Sequence, residues 1–122
     1  MHELAVCQAL MAQVEAIASR EGAARVMAIA LRIGPLSGVE PGLLAHAFPL
    51  AAAGTRAADA ELRIEALPVR VRCSGCGAES EAAPNRLLCA VCGDYHTRLL
   101  SGDELLLASV ELERAALTGT SD

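Results

Sequence analysis

Four cysteines stand in two matched pairs, Cys73-Ser-Gly-Cys76 and Cys89-Ala-Val-Cys92, with twelve residues between them. A Cys-x2-Cys turn presents two thiolates to one side of a metal. Two such turns supply the four ligands of a tetrahedral zinc site. Gly75 and Gly77 flank Cys76 and Gly93 follows Cys92, which suits a backbone that must turn tightly around an ion. Four thiolates leave no open coordination position, so the expected zinc is structural and not catalytic. The same residues also admit two disulfides or two dithiol redox pairs. The start of the chain, Met1-His2-Glu3, has no basic segment followed by an apolar run. Paired cysteines without an export signal favour a reducing cytoplasm and metal thiolates.

The first three residues form a second constellation. His2 is bulky, so Met1 should be retained and leave a free amine beside an imidazole. The Met1 amine, the backbone nitrogen of His2 and the His2 imidazole can close adjacent five- and six-membered chelate rings. The backbone nitrogen of Glu3 can complete a planar set. Such nitrogen-rich planar geometry suits Ni(II) or Cu(II), not zinc. The ordinary pKa of an α-amine, about 7.7–8.0, makes its deprotonation feasible near neutral pH, and the site should weaken as pH falls. Taken alone this signal is weak, since a lone terminal histidine is usually just solvated. His46 reads as a helix residue. His96, just past the fourth cysteine, reads either as a surface residue or as an extra ligand facing the N-terminus.

These groups must be positioned by a core nearly devoid of aromatics. Hydrophobic residues make up 53% of the 122 and aromatics only 2%, so Leu, Ile, Val and Ala must do the packing. The length suits one domain, or a domain plus a small metal-held module. The formal net charge of −5 argues against a nucleic-acid binder, which needs a basic footprint. No apolar run is long enough to span a bilayer.

Apolar residues at three- and four-residue steps (Leu4, Cys7, Leu10, Met11, Val14, Ile17, Ala18) predict a helix over 3–20, ended near Gly22. Cys7 belongs to this stripe as a small buried apolar residue. Residues 25–33 predict a strand with Met27, Ile29, Leu31 and Ile33 on one face. Residues 40–53 predict a second helix, with Pro41 in its first turn. Residues 60–67 alternate as a half-buried strand closed by Pro68. Residues 104–113 predict a last strand, with Leu106, Ala108, Val110 and Leu112 facing one way. The fold class expected is α+β: two helices packed on a three-stranded mixed sheet, with an inserted four-cysteine, zinc-ribbon-like module. The expected division is residues 1–69 and 100–117 as an α/β domain that carries the N-terminal chelator, 70–99 as the zinc module, and 118–122 as a flexible tail.

In this order the residues resemble one family. Met-His-Glu-Leu at 1–4, Cys7-Gln8, Leu-Arg-Ile-Gly at 31–34 and Leu36-Ser37-Gly38-Val39-Glu40-Pro41 match it. Ala47-Phe48, both Cys-x2-Cys pairs and a closing strand through Glu111-Leu112-Glu113 complete the pattern. The chain is similar to the HypA/HybF family of hydrogenase nickel-insertion proteins over nearly its whole length. The resemblance implies a nickel metallochaperone, not an enzyme. It implies a nickel site with His2 as key ligand, supported by Met1 and Glu3, and a zinc site of Cys73, Cys76, Cys89 and Cys92. Nickel is then transported cargo. The implied partners are a GTP-hydrolysing nickel-insertion protein and the large subunit of a nickel-iron hydrogenase; in some bacteria the family also serves urease. Glu40 matches a characteristic family acid, and a helix N-terminal acid favoured by the dipole accounts for it equally. Some members carry proline after the third cysteine; Ala90 here alters loop stiffness without removing a ligand.

Two other classes compete. A zinc-ribbon interaction or nucleic-acid module would use the local positive charge of Arg70, Arg72, Arg86 and Arg98, against an acidic balance and almost no aromatics for base stacking. A dithiol redox enzyme would use a Cys-x2-Cys that opens a helix, and Gly75 and Gly77 argue against a helix start there.

Overall fold

The computed structural model describes residues 2–114. Met1, expected as a nickel ligand, and the tail expected at 118–122 lie outside the described residues. The element order is α1 (His2–Arg20), β1 (Ala23–Ile33), α2 (Pro41–Ala52), β2 (Glu61–Ala66), β3 (Arg70–Cys73), β4 (Glu79–Glu81), β5 (Thr97–Ser101) and β6 (Leu105–Arg114). The described strands form two three-stranded sheets, β2-β1-β6 and β4-β3-β5. The expected fold class holds: two helices, a mixed three-stranded sheet and a clustered set of four cysteines. The second sheet, built around the cysteines, adds strands β3, β4 and β5 to that description.

By compactness, residues 2–31, 40–64 and 107–114 form one unit, and 32–39 with 65–106 form the other. In the first unit, α1 buries Cys7, Met11, Val14 and Ala18, a four-residue and three-residue repeat that keeps one face inward. α2 buries Leu44, Phe48 and Ala52 at four-residue steps. Ile29 and Leu31 of β1 and Leu62 of β2 meet Met11, Leu44 and Phe48 around one small apolar gap, where helices and sheet share a core. Cys7 is 2% exposed, and its thiol donates to the Leu44 carbonyl oxygen at 3.4 Å. A polar contact outside the core pins the connection after α2. The Glu15 carboxylate accepts from the Arg56 backbone N–H at 2.9 Å and from its guanidinium at 3.1 Å.

Strand phases differ from the expectation at two places. Ile29, Leu31 and Ile33 are buried, but Met27 is 43% exposed while Val26 and Ala28 are buried. The alternation slips by one residue, which exchanges faces as a bulge does. Met27 stays on the outside beside Arg25, whose guanidinium reaches Glu113 of β6 at 2.7 Å. In β6, Leu105 and Leu107 are half-buried, Leu106 and Ala108 are exposed, and Val110 and Leu112 are half-buried again. The expected face is therefore interrupted after Ala108. The phase changes at Ala108 and Ser109, two consecutive exposed residues, after which the half-buried positions resume at Val110.

The second unit is antiparallel. β3 pairs with β4 through Arg70↔Glu81, Val71↔Ser80 and Arg72↔Glu79, and with β5 through Val71↔Leu99, Arg72↔Arg98 and Cys73↔Thr97. Val71 is fully buried in it and Val69 nearly so.

Candidate metal sites

Strand β3 ends on Cys73, so the first cysteine turn begins where pairing fixes the backbone. The turn repeats almost atom for atom at Cys89. The Cys73 N–H donates to the Ala78 carbonyl at 2.9 Å, and Gly77 N–H donates back to the Cys73 carbonyl at 3.0 Å. The Cys89 N–H donates to the Asp94 carbonyl at 2.9 Å, and Gly93 N–H returns to the Cys89 carbonyl at 2.9 Å. Gly77 (φ 78°) and Gly93 (φ 79°) occupy the left-handed position that closes each turn.

Each turn aims backbone donors at its first sulfur. Cys73 Sγ accepts from Gly75 and Cys76, both at 3.3 Å. Cys89 Sγ accepts from Val91 at 3.3 Å and Cys92 at 3.4 Å. These donors favour thiolate. The Cys92 N–H, then that of Val91, hold Cys89 down at about 6, against an ordinary value of 9.0. Cys73 is lowered for the same reason, led by the Cys76 N–H. In the metal-free cluster the outer pair goes the other way. At Cys92 an N–H from Asp94 pulls down, but thiol hydrogen bonds with Cys73 and the other cysteines outweigh it, and the group is pushed up to about 12. Cys76 is raised, with the Ala78 N–H opposing and the Cys89 thiol contact driving the rise.

All four sulfurs lie within 4.8 Å of one another. The contacts Cys73–Cys92 and Cys76–Cys89 are 3.6 Å. A tetrahedron with metal–sulfur bonds of about 2.3 Å has edges of roughly 3.8 Å, so the spacing and donor set fit a four-thiolate ion. Disulfide bonds of about 2.05 Å are not made by any of the five cysteines. Cys73 and Cys89 are buried and Cys76 and Cys92 exposed, so the site sits at the surface of its unit with two ligands outward. Both Cys-x2-Cys segments are turns and neither opens a helix, which removes the geometry a dithiol redox pair relies on.

His96 is exposed beside this site. Its Nδ1 meets Asp94 Oδ1 at 2.8 Å, and its ring lies 4.1 Å from that of Tyr95. The Asp94 carboxyl is lowered first by the His96 N–H, then by its ring.

The N-terminal constellation lies on the first turn of α1. His2 has a side chain 59% exposed, with Nδ1 3.7 Å from Glu3 Oε1. Nδ1 is the ring nitrogen that closes a six-membered chelate with the residue's own backbone nitrogen. The first N–H groups of a helix have no intrahelical acceptor, so a metal that displaces their protons breaks no helical hydrogen bond. Glu3 is the surprise. The sequence pointed to its backbone nitrogen, yet its side chain is the one buried charged group among the described residues. Its Oε2 accepts from the Glu40 N–H at 3.3 Å. That bond leads the lowering of its pKa, followed by its own N–H and by His2, against some desolvation. Glu40 in turn is the N-cap of α2, its Oε1 accepting from Leu43 N–H at 2.8 Å. The Glu40-Pro41 start of the helix was visible in the sequence; the Glu3–Glu40 contact, spanning 37 residues, had no local signal.

Residues 1–112 match the family described as hydrogenase/urease nickel incorporation, metallochaperone, hypA. The chain is 53% identical over 112 residues to hydrogenase maturation factor HypA of Nitrosospira multiformis, covering 92% of this chain and 97% of that one. It is 41% identical to that of Aquifex aeolicus, covering 93% and 98%. In fold it resembles the solution structure of the Ni metallochaperone HypA from Helicobacter pylori, with a TM-score of 0.66 and 24% identity over 93% of this chain and 98% of that one.

Proposed function

The chain belongs to the HypA family of hydrogenase/urease nickel-incorporation metallochaperones, and from that premise we propose how its own residues carry the metal. It is a nickel metallochaperone of hydrogenase maturation. Nickel binds at the N-terminus, through the Met1 amine, the backbone nitrogens of His2 and Glu3, and the His2 imidazole. The observation that carries this reading is the exposed His2 ring, whose Nδ1 lies at a helix start beside the Glu3 carboxylate. The two deprotonated backbone nitrogens balance the charge of Ni(II), and the Glu3 carboxylate stays tied to Glu40. Fraying of a helical first turn costs little, so cargo held there can be released to an acceptor.

The four-cysteine site holds zinc, with Cys73, Cys76, Cys89 and Cys92 as ligands. The closed set supplies shape and no open position for chemistry. The acceptors are the large subunit of a nickel-iron hydrogenase and a GTP-hydrolysing nickel-insertion partner, met in the cytoplasm. No described helix is long and apolar enough to cross a membrane. The chelating unit and the zinc module act as separate domains, with nucleotide hydrolysis left to the partner.

The test is metal analysis and nickel titration by calorimetry and visible absorption, on untagged wild type and His2→Ala. Wild type should carry zinc and take up nickel with a planar, nitrogen-rich spectrum. His2→Ala should keep the zinc and lose the nickel. Equal nickel binding by the variant would overturn the N-terminal site.

A further inference from the structure

On the β3–β5 ladder two like charges stand directly opposite each other: Arg72 pairs in register with Arg98. Like charges at opposed cross-strand positions destabilise a sheet. Nothing nearby neutralises this pair well. Arg72 reaches Glu79 only at 3.8 Å with a side chain 55% exposed, and Arg98 has no carboxylate within 4 Å among the described residues. Four arginines elsewhere, Arg25, Arg32, Arg56 and Arg63, each meet a carboxylate at 3.1 Å or less, whereas Arg20 reaches Glu21 only at 3.9 Å. Arg72 and Arg98 line one open pocket with Cys73, Ser74 and Gly77, at the rim of the metal site.

We propose that this pocket is a docking site for an acidic segment of a protein partner, with Arg72 and Arg98 taking its Asp or Glu carboxylates. Guanidinium groups bind carboxylates bidentately, and two opposed across a ladder accept adjacent ones. The pocket lacks the free backbone N–H groups of a phosphate cradle. The Ser74 N–H is used by the His96 carbonyl at 2.8 Å, and the Gly77 N–H by the Cys73 carbonyl at 3.0 Å. The two guanidinium groups concentrate positive charge on one side of a chain of net charge −5, so they orient an acidic partner toward the metal-bearing face. Leu100, two residues beyond Arg98, is 44% exposed and offers an apolar neighbour. This surface goes beyond the nickel reading and does not depend on it.

The probe is fluorescein-labelled hexaglutamate, followed by anisotropy at low salt on the zinc-loaded full chain, with hexaglutamine as the neutral control. Arg72→Ala/Arg98→Ala should weaken hexaglutamate at least about tenfold. Arg20→Ala/Arg114→Ala removes the same charge elsewhere and should stay within about twofold. Zinc content and circular dichroism check that each variant is folded. Equal loss in both double variants, or no binding by wild type, overturns the proposal. Displacement of the peptide by equimolar inorganic phosphate overturns the assignment to a peptide carboxylate. A second readout needs no ligand. Arg98→Thr relieves the like-charge pair and should raise the melting temperature of the zinc-loaded protein, and an unchanged or lower value removes the premise.

Discussion

The Glu3 carboxylate accepts a hydrogen bond from the Glu40 backbone N–H at 3.3 Å, tying the first turn of α1 to the cap of α2. The bond holds the Glu3 pKa below its ordinary 4.5 in the folded protein. A depressed folded value means that the ionised form stabilises the fold. That contribution is fully present above pH 4.5 and is lost as pH falls through the folded value. Glu3→Gln should therefore be less stable than wild type near neutral pH, with the gap closing in acid. Urea unfolding midpoints measured from pH 7 to pH 3 decide it, and a gap that is flat throughout means that the charge plays no part.

Nickel binding should depend on where the chain begins. Two residues, Gly-Ser, added ahead of Met1 move the α-amine away from His2 while leaving the imidazole and the Glu3–Glu40 contact intact. Nickel affinity should fall at least tenfold, about 1.4 kcal/mol, and the planar nitrogen-rich absorption should disappear. Zinc content should not change. An extended chain that binds nickel as before would mean that the amine is not a ligand. For the unextended chain, affinity should drop as pH falls below about 7.7–8.0, where the amine gains its proton.

The helix pair depends on Leu44, which is fully buried against α1, Ile29 and Leu31. Leu44→Ala should cost about 2–5 kcal/mol, because removing a buried isobutyl group leaves a cavity in a core with one phenylalanine to fill it. Leu50, on the same helix but 70% exposed, serves as the control; Leu50→Ala should change stability by no more than about 0.5 kcal/mol. Denaturant titration of both variants measures the difference. Comparable losses at the two sites would contradict the burial assigned to α2.

The parts of this architecture legible in sequence are those written in local pattern. The α1 stripe, the Glu40-Pro41 start of α2 and the two cysteine turns each need only a few neighbouring residues to declare themselves. Their structural counterparts lie within a residue or two of the expectation. Phase inside the long strands was not legible. Met27 and Leu106 look like core residues by alternation, but β1 and β6 each slip by one residue and turn them outward. The buried Glu3 side chain was also hidden, since a glutamate at a helix start normally faces solvent. Only the distant Glu40 N–H explains its burial. The opposed Arg72 and Arg98 needed the register of a ladder closed across 26 residues, which spacing alone does not give.

The two cysteines of each turn should not be equivalent in holding zinc. Cys89 is buried, receives N–H donors from Val91 and Cys92, and stands at about 6 without metal, so it is already thiolate at neutral pH. Cys92 is exposed and is pushed up to about 12 in the metal-free cluster, so zinc must displace its proton. Proton release on zinc uptake follows, and zinc affinity must fall as pH drops. When acid competes, Cys92 and Cys76 should be protonated first, while Cys73 and Cys89 keep the ion longest. Removing a favoured thiolate should then do more harm than removing a disfavoured one. Cys89→Ser should weaken zinc at least about tenfold more than Cys92→Ser, a difference of about 1.4 kcal/mol. Competition with a chromophoric chelator at pH 7 measures both affinities, and equal losses would show that the backbone donors do not distinguish the ligands once zinc is bound.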